Sequence, residues 1–314
     1  MEMRQALCEC LDEMMAENEN IVVIDADLAK PNGTFPLRKK YPERAIDVGI
    51  AEQNMASVAA GMSSYGFIPF ITSFTPFASR RICDQIAISI AYAKQNVKII
   101  GSDPGISAEF NGGTHMSMED IGVLRSIPEL VIYEPVDVAQ FKQALPQIVA
   151  YEGPVYIRMF RKTIDDVFTN ADYKFDLFHA DCIQEGNAVT IFCSGIMVQE
   201  TMKANEILKQ EGIDAEIINI HTIKPIDRDA VVASAKKTGA VVVAENHNVI
   251  GGLTSAVCEV LMEEYPVPLR AVGVKDRCGQ VGKMPFLKEE YHMTAKDIVS
   301  AVKEVIKLNT STLR

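Results

Sequence analysis

Short apolar runs alternate with helical patterns along nearly the whole chain, and this alternation limits the possible folds more than any other feature. The first run, IVVID, is followed by others such as FIPFITS and NVKIIGS, each closing on a Ser or Asp. Between the runs, apolar residues recur at helical spacing and predict helices over 52–65, 77–94 and 137–150, among others. Strands that alternate with helices in this way predict parallel sheets covered by helices on both faces.

The alternation stops over residues 162–187, which are polar and aperiodic. A chain of 314 residues has room for two domains, since domains commonly contain roughly 100–200 residues. We therefore predict an α/β fold with two doubly wound domains. The first, mainly a parallel sheet, covers 1–165, a linker covers 166–187, and a smaller α/β domain covers 188–314.

Composition narrows the possible partners. The chain has 31 basic and 42 acidic residues and a net charge of −11, which argues against nucleic acid or an anionic membrane surface as the main partner. Its seven cysteines show neither a metal-binding nor a disulfide spacing. The N-terminus lacks the pattern of a signal peptide, and no apolar run approaches the ~18–20 residues of a membrane span. These features predict a cytoplasmic protein.

Ligands of parallel sheets lie beyond the carboxyl ends of the strands, and several candidate side chains follow strands here. Glu52 falls in the first turn of a helix, where a carboxylate also stabilises the helix dipole. Phe74 and Phe77 follow the next strand and could clamp a flat ring or belong to the core. His115 lies in the Gly-rich loop 101–117, and long loops at strand ends are often functional.

Two arginines stand at the end of a later strand, VYIRM. Arg158 and Arg161 could each pair with an anionic group of a substrate or form an ordinary salt bridge. The sequence pattern of this strand is compatible with both substrate binding and an ordinary salt bridge.

The order of several segments carries a family resemblance. DVGIAEQNM, FITSFTPFASRRICDQI and NGGTHMSMEDIGVLRSIPELVIYEPVD resemble the pyrimidine-binding domain of the transketolase family of thiamine-diphosphate enzymes. AVTIFCSG, INIHTIKPID and VVVAENHNVIGGLTSAV are similar to that family's C-terminal domain. The GDG motif, through which the family's N-terminal domain holds the diphosphate and Mg²⁺, is absent. The resemblance therefore implies the C-terminal subunit of a split transketolase, paired with a separate N-terminal subunit in a dimer of heterodimers.

The resemblance also assigns roles to residues, with the diphosphate and Mg²⁺ held mainly by the partner subunit. Glu52 matches the family acid at N1′ of the aminopyrimidine, and His115 matches a histidine that contacts substrate oxygens; both are the expected catalytic residues. The expected cofactor-binding residues are Asp27, Gly49, Ile50, Glu52, Phe74 and Phe77. The expected substrate-binding residues are Asn111, His115, Arg158 and Arg161. Asn111 stands where relatives often have Asp, and Pro31 stands where they carry a phosphate-binding Ser. These two departures leave the identity of the sugar substrate undetermined.

The implied reaction is transfer of a two-carbon ketol unit from a ketose, phosphorylated in the family, to an aldose, as in pentose phosphate metabolism. A β-subunit of a 2-oxoacid dehydrogenase and an enzyme like 1-deoxyxylulose-phosphate synthase are alternatives with the same fold. A non-catalytic assembly or regulatory subunit is the alternative from another class. The joint presence of Glu52, Phe74, Phe77 and His115 argues against the last of these.

Overall fold

The apolar runs of the first half form one sheet in the computed structural model, which describes residues 1–312. Its strands from this half are β1 Ile21–Asp25, β2 Ala45–Asp47, β3 Ile68–Phe74, β4 Lys98–Ser102, β5 Val131–Tyr133 and β6 Val155–Met159. The order β5-β6-β4-β3-β1-β2 is parallel throughout. Every residue of β1, β4, β5 and β6 is buried, as expected for strands covered on both faces.

Helices cover both faces of this sheet. They are α1 Met3–Glu17, α2 Ala29–Asn32, α3 Phe35–Lys40, α4 Glu52–Ser63, α5 Asp120–Leu124 and α6 Val138–Ala150. The helices predicted over 52–65 and 137–150 are confirmed as α4 and α6. The single helix predicted over 77–94 is instead a 3₁₀ turn, Arg80–Ile82, followed by a π-helix, Gln85–Tyr92. An apolar stripe does not distinguish these helix types, because each can bury one face.

The second half builds a smaller sheet of the same kind. Its strands are β7 Asp181–Gln184, β8 Val189–Cys193, β9 Ala215–Asn219, β11 Val241–Asn248 and β12 Leu269–Val274, in the order β12-β11-β8-β9-β7. The helices are α7 Met197–Gln210, α8 Arg228–Thr238, α9 Leu253–Glu264, α10 Met284–Glu290 and α11 Ala295–Thr312. Two α/β units with mainly parallel sheets confirm the predicted fold class.

Two short strands link regions that the sequence pattern separates. β7 lies within the segment predicted as a linker and pairs antiparallel with β9. β10, Thr222–Lys224, comes from the second half but pairs antiparallel with β5 of the first sheet. β7 lies in a polar segment, and only two residues separate the end of β9 from the start of β10, so neither shows an apolar run of its own and neither was predicted.

The hydrophobic core runs across both halves. Ile121 and Leu124 of the first half share a buried cluster with Ile218 and Leu253 of the second. No helix in the described part of the chain is long and apolar enough to cross a membrane.

Candidate functional site

Glu52 is the first residue of α4 and stands at the carboxyl edge of the first sheet. Its side chain is only 5% exposed, and Oε1 accepts a hydrogen bond from Nη1 of Arg81 at 2.7 Å. The turn before it is built on Asp47, whose Oδ1 accepts the backbone N–H groups of Asp27 at 3.0 Å and Gly49 at 2.8 Å. Gly49 has a φ of 74°, which suits a residue without a Cβ.

Three rings pack together beside Arg81, the hydrogen-bond partner of Glu52. The ring centroid of His115 is 5.9 Å from that of Phe74 and 5.2 Å from that of Phe77, and the two Phe centroids are 6.3 Å apart. The guanidinium carbon of Arg81 is 3.9 Å from the Phe77 centroid. Arg81 thus connects the buried carboxylate to the rings, and the structure brings Glu52, Phe74, Phe77 and His115 into one site.

The residues here fit an aminopyrimidine. Such a ring offers a hydrogen-bonding edge and a flat face, which a carboxylate and aromatic side chains can bind. The space beside Gly49 is open, since a Cβ built there would meet no heavy atom within 4 Å. The Ile50 side chain beside it is 77% exposed. Among residues 1–312 there is no group of three or more His, Cys, Asp and Glu side chains that could hold a metal ion.

The other predicted residues lie at the edges of this site. Asp27 is exposed and has a φ of 61°, and its backbone N–H closes the turn on Asp47. Asn111 is exposed at the end of a 3₁₀ segment, Gly105–Asn111. His115 is half-buried, and its Nδ1 lies 2.8 Å from Oγ1 of Thr114.

Arg161 reaches the site from the end of β6. Its guanidinium carbon is 5.2 Å from the ring centroid of Phe74. Nε donates to the carboxylate of Asp103, and Nη1 donates to the carbonyl oxygen of Pro31 at 3.2 Å. Only 15% of its side chain is exposed, so Arg161 is a positive group held at the border of the site.

Arg158 does not belong to this site, which corrects its prediction as a substrate-binding residue. Its side chain is fully buried, and Nε and Nη2 donate to the Asp120 carboxylate at 2.8 and 3.2 Å. Nη1 donates to Glu134 at 2.6 Å and Nη2 to the backbone oxygen of Asn246 at 2.7 Å. Position 158 lies inside β6, so its side chain enters the packed contact between the two halves and cannot reach a ligand.

Two residues near the site were missed by reasoning from the sequence. Arg81 could have been noticed because it follows Phe77 by four residues, a spacing that brings side chains together on a helix. Asn246 had no local signal, since it lies more than a hundred residues from the loop it contacts.

Comparison with known proteins identifies the family. Residues 1–165 match the family model of the transketolase pyrimidine-binding domain, and residues 179–298 match that of the transketolase C-terminal domain. The chain belongs to the transketolase family. The family resemblance predicted from the sequence segments is thereby confirmed.

Individual transketolase subunits match over almost their full length. The 6-deoxy-6-sulfo-D-fructose transketolase subunit SqwH of Clostridium sp. (strain MSTE9) is 52% identical over 96% of this chain and 94% of its own. One subunit of the apulose-4-phosphate transketolase of Phocaeicola vulgatus is 31% identical over 97% of both chains. A solved structure described as a split gene transketolase, an inactive β4 tetramer, has a TM-score of 0.89 and 42% identity and covers 98% of this chain and 99% of its own.

Proposed function

We propose that this chain is the C-terminal subunit of a two-chain transketolase that transfers a two-carbon ketol unit from a ketose to an aldose. The observation that carries the proposal is the group of Glu52, Phe74, Phe77 and His115 at one sheet edge of a transketolase-family chain. Similarity to named transketolase subunits over nearly their whole length supports it.

Thiamine diphosphate, when bound, supplies the carbon nucleophile and the electron sink for cleavage of a carbon–carbon bond. In the proposed site, Glu52 binds N1′ of the aminopyrimidine, and the turn at Gly49 and Ile50 leaves room for the ring. Phe74 and Phe77 orient the ring through contacts with its faces. Asp27 lies at the rim, two residues beyond β1.

The substrate is held by the loop and by Arg161 in this proposal. His115 donates a hydrogen bond to substrate oxygens, and Asn111 binds a hydroxyl group without adding charge. Arg161 pairs with the anionic group of the sugar, a task that suits its forked guanidinium. Arg158 has no part in it, because its donors are already bound to buried carboxylates.

The partner in this proposal is an N-terminal subunit with the GDG motif, which holds the diphosphate and Mg²⁺. We propose a cytoplasmic dimer of heterodimers, in which catalysis requires both subunits.

The donor we propose is a ketose with a terminal sulfonate. Sulfonate and phosphate are both tetrahedral oxyanions that an arginine can bind. The relative named for a sulfofructose substrate shares 52% identity with this chain, whereas the relative named for apulose 4-phosphate shares 31%. Because both of these relatives are named as transketolase subunits, a 2-oxoacid dehydrogenase subunit and a deoxyxylulose-phosphate synthase are the less favoured alternatives.

The test is an assay of the purified complex with its N-terminal partner, thiamine diphosphate and Mg²⁺. We expect ketol transfer from 6-deoxy-6-sulfofructose, slower transfer from fructose 6-phosphate, and no decarboxylation of pyruvate. Glu52→Ala should lower kcat by roughly 100-fold or more, the range for losing a group that acts on a proton. Asp229→Ala, which removes an exposed acid from the first turn of α8, is the matched control and should leave kcat unchanged.

Three outcomes would contradict this assignment. Full activity of Glu52→Ala would remove Glu52 from the reaction. Pyruvate decarboxylation in place of ketol transfer would favour the dehydrogenase alternative, and a complex with neither activity would favour a non-catalytic subunit.

A further inference from the structure

We infer that Asn246, in β11 of the second half, is a positioning residue for the loop that carries Asn111 and His115. The inference rests on the proposed function only for the role of those two residues in binding substrate. The contacts between Asn246 and the loop are properties of this chain alone.

The Asn246 side chain holds the beginning of the loop. Its Nδ2 donates to the carbonyl oxygen of Pro104 at 2.9 Å, and its Oδ1 accepts the backbone N–H of Ile106 at 3.0 Å. The side chain is fully buried, so both ends of the amide are used on the loop backbone. Gly105 lies between these contacts, and a Cβ there would be 2.3 Å from Oδ1 of Asn246.

The loop backbone needs support from outside itself. Asp103, Gly105, Glu109 and Gly112 have φ values of 53°, 55°, 49° and 71°. Asp103 and Glu109 are not glycines, and residues with a Cβ adopt this region at a cost in free energy. Such a conformation persists only where surrounding contacts favour it, and Asn246 supplies two of them.

The second half also holds the middle and the end of the loop. The Glu109 carboxylate accepts the backbone N–H of Met284 at 2.8 Å. A Cβ at Gly113 would lie 2.4 Å from the carbonyl oxygen of Gly279, so the two backbones are in close contact. The backbone N–H of Asn248 donates to the carbonyl oxygen of Met118 at 2.8 Å. The loop is therefore seated on the second half from residue 104 to residue 118.

His115 lies between these supports and the aromatic rings of the first half. Asn246 contacts the loop at residues 104–106, and His115 contacts Phe74 and Phe77. These contacts allow Asn246 to influence His115 through the loop backbone. The second half, in this inference, sets the position of a substrate-binding residue in addition to stabilising the fold.

The first test is hydrogen exchange measured by mass spectrometry on the full chain without its partner. Asn246→Ala should raise exchange over residues 105–117 by about tenfold or more, because local opening becomes easier. Exchange over α4, which carries Glu52, should stay as in the wild type. The matched control is Asn205→Ala, a buried asparagine of α7 that, within residues 1–312, makes no hydrogen bond to the loop.

The second test uses the active complex. Asn246→Ala should raise the KM for the ketose by roughly tenfold, since a displaced contact weakens substrate orientation. The Kd for thiamine diphosphate should change less than twofold in the same variant. Asn246→Ser keeps a small neutral hydroxyl that can make at most one of the two contacts, so it should show a smaller effect and serves if the Ala variant does not fold.

A double-mutant comparison separates a positioning role from a general loss of stability. In a His115→Ala background, Asn246→Ala should have a smaller effect on kcat/KM than in the wild type, because His115 is one of the two loop residues that Asn246 positions. Unchanged loop exchange in Asn246→Ala, equal effects of Asn246→Ala and Asn205→Ala, or full additivity with His115→Ala would each overturn the inference. If the wild-type complex transfers no ketol unit, the proposed function fails, and the exchange experiment still decides the role of Asn246.

Discussion

At the scale of single residues, the fully buried Arg158 shows how one charge can join two halves of a chain. Its guanidinium pairs with Asp120 of α5 and with Glu134 just after β5, and it donates to the backbone oxygen of Asn246 in the second half. The Glu134 carboxylate also accepts from the Ser194 hydroxyl at 2.7 Å. The two carboxylates therefore supply most of the hydrogen-bond acceptors for the buried guanidinium.

Removing Arg158 should be costly for stability. Arg158→Ala leaves two carboxylates buried without their cation and should lower the free energy of unfolding by about 3–5 kcal/mol. Urea unfolding followed by circular dichroism measures this loss. The matched control is Arg228→Ala, whose half-exposed ion pairs with Glu263 and Glu264 should be worth no more than about 1 kcal/mol. If Arg158→Ala had normal stability and a raised KM for the ketose, Arg158 would be a substrate-binding residue and the structural role would be wrong.

At the scale of secondary-structure elements, the start of α6 organises the segment that follows the first sheet. Asp137 is the N-cap of α6 and is fully buried, and its Oδ1 accepts the backbone N–H of Gln140 at 2.8 Å. Its Oδ2 accepts the backbone N–H groups of Val167 and Phe168, both at 2.7 Å. The Asp137 side chain thus caps α6 and also holds the beginning of the predicted linker by hydrogen bonds.

Asp137→Ala should therefore cost more than an ordinary helix cap. Loss of the cap costs about 1 kcal/mol, and the half-buried N–H groups left without an acceptor add about 1 kcal/mol, the lower end of the range for buried groups. The control is Asp227→Ala, a half-buried cap of α8 that holds a single linker N–H, that of Ala180. Thermal unfolding of both variants checks the difference, and limited proteolysis should cut Asp137→Ala faster between 162 and 180. Equal losses of stability in the two variants would contradict this reading.

At the scale of the whole molecule, β10 connects the two sheets, and His221 stands directly before it. The backbone oxygen of His221 accepts the N–H of Glu134 at 2.8 Å, and its ring centroid is 4.7 Å from that of Phe175. The side chain is 1% exposed, and Nε2 lies 2.8 Å from the carbonyl oxygen of His179. Burial lowers the pKa of His221 from 6.5 to about 4.

This shift predicts a loss of stability in acid. Between pH 6.5 and 4 the unfolded chain binds a proton at His221 that the folded chain does not, so stability falls as the pH falls. The stability that neutral His221 contributes is fully present above about pH 6.5 and is lost as the pH falls towards 4. A pKa difference corresponds to roughly 1.4 kcal/mol per unit, so this contribution amounts to about 3 kcal/mol. His221→Gln should lack it, so its stability relative to wild type should improve as the pH is lowered.

Urea unfolding of both proteins from pH 7.5 to pH 4 measures this difference. Asp181 lies 3.8 Å from His221, and burial raises the pKa of Asp181 to about 6. Because Asp181 is present in both proteins, subtracting their free energies of unfolding removes most of its contribution. Asn205→Ala, which removes no titratable group, is the control and should show a constant difference. A constant difference for His221→Gln as well would contradict the prediction.

The extent of successful prediction differs between local and distant features. The long apolar runs and the helix that begins at Glu52 were predictable, because periodicity over ten or so residues reports which face is buried. The gathering of Glu52, Phe74 and His115 was also predictable, since parallel strands bring their carboxyl ends to one edge. The buried role of Arg158, the strands β7 and β10 and the link from Asn246 to the loop were not.

By itself, the sequence determined the α/β class, most of the elements and the family, because each depends on patterns contained in contiguous segments. Only the tertiary structure decided that Arg158 is enclosed by Asp120 and Glu134, and that the His115 loop rests on the second half. Both depend on pairings between residues far apart in the chain. Such pairings exist only once folding has brought the two halves together and excluded water, which makes each buried polar group require a partner.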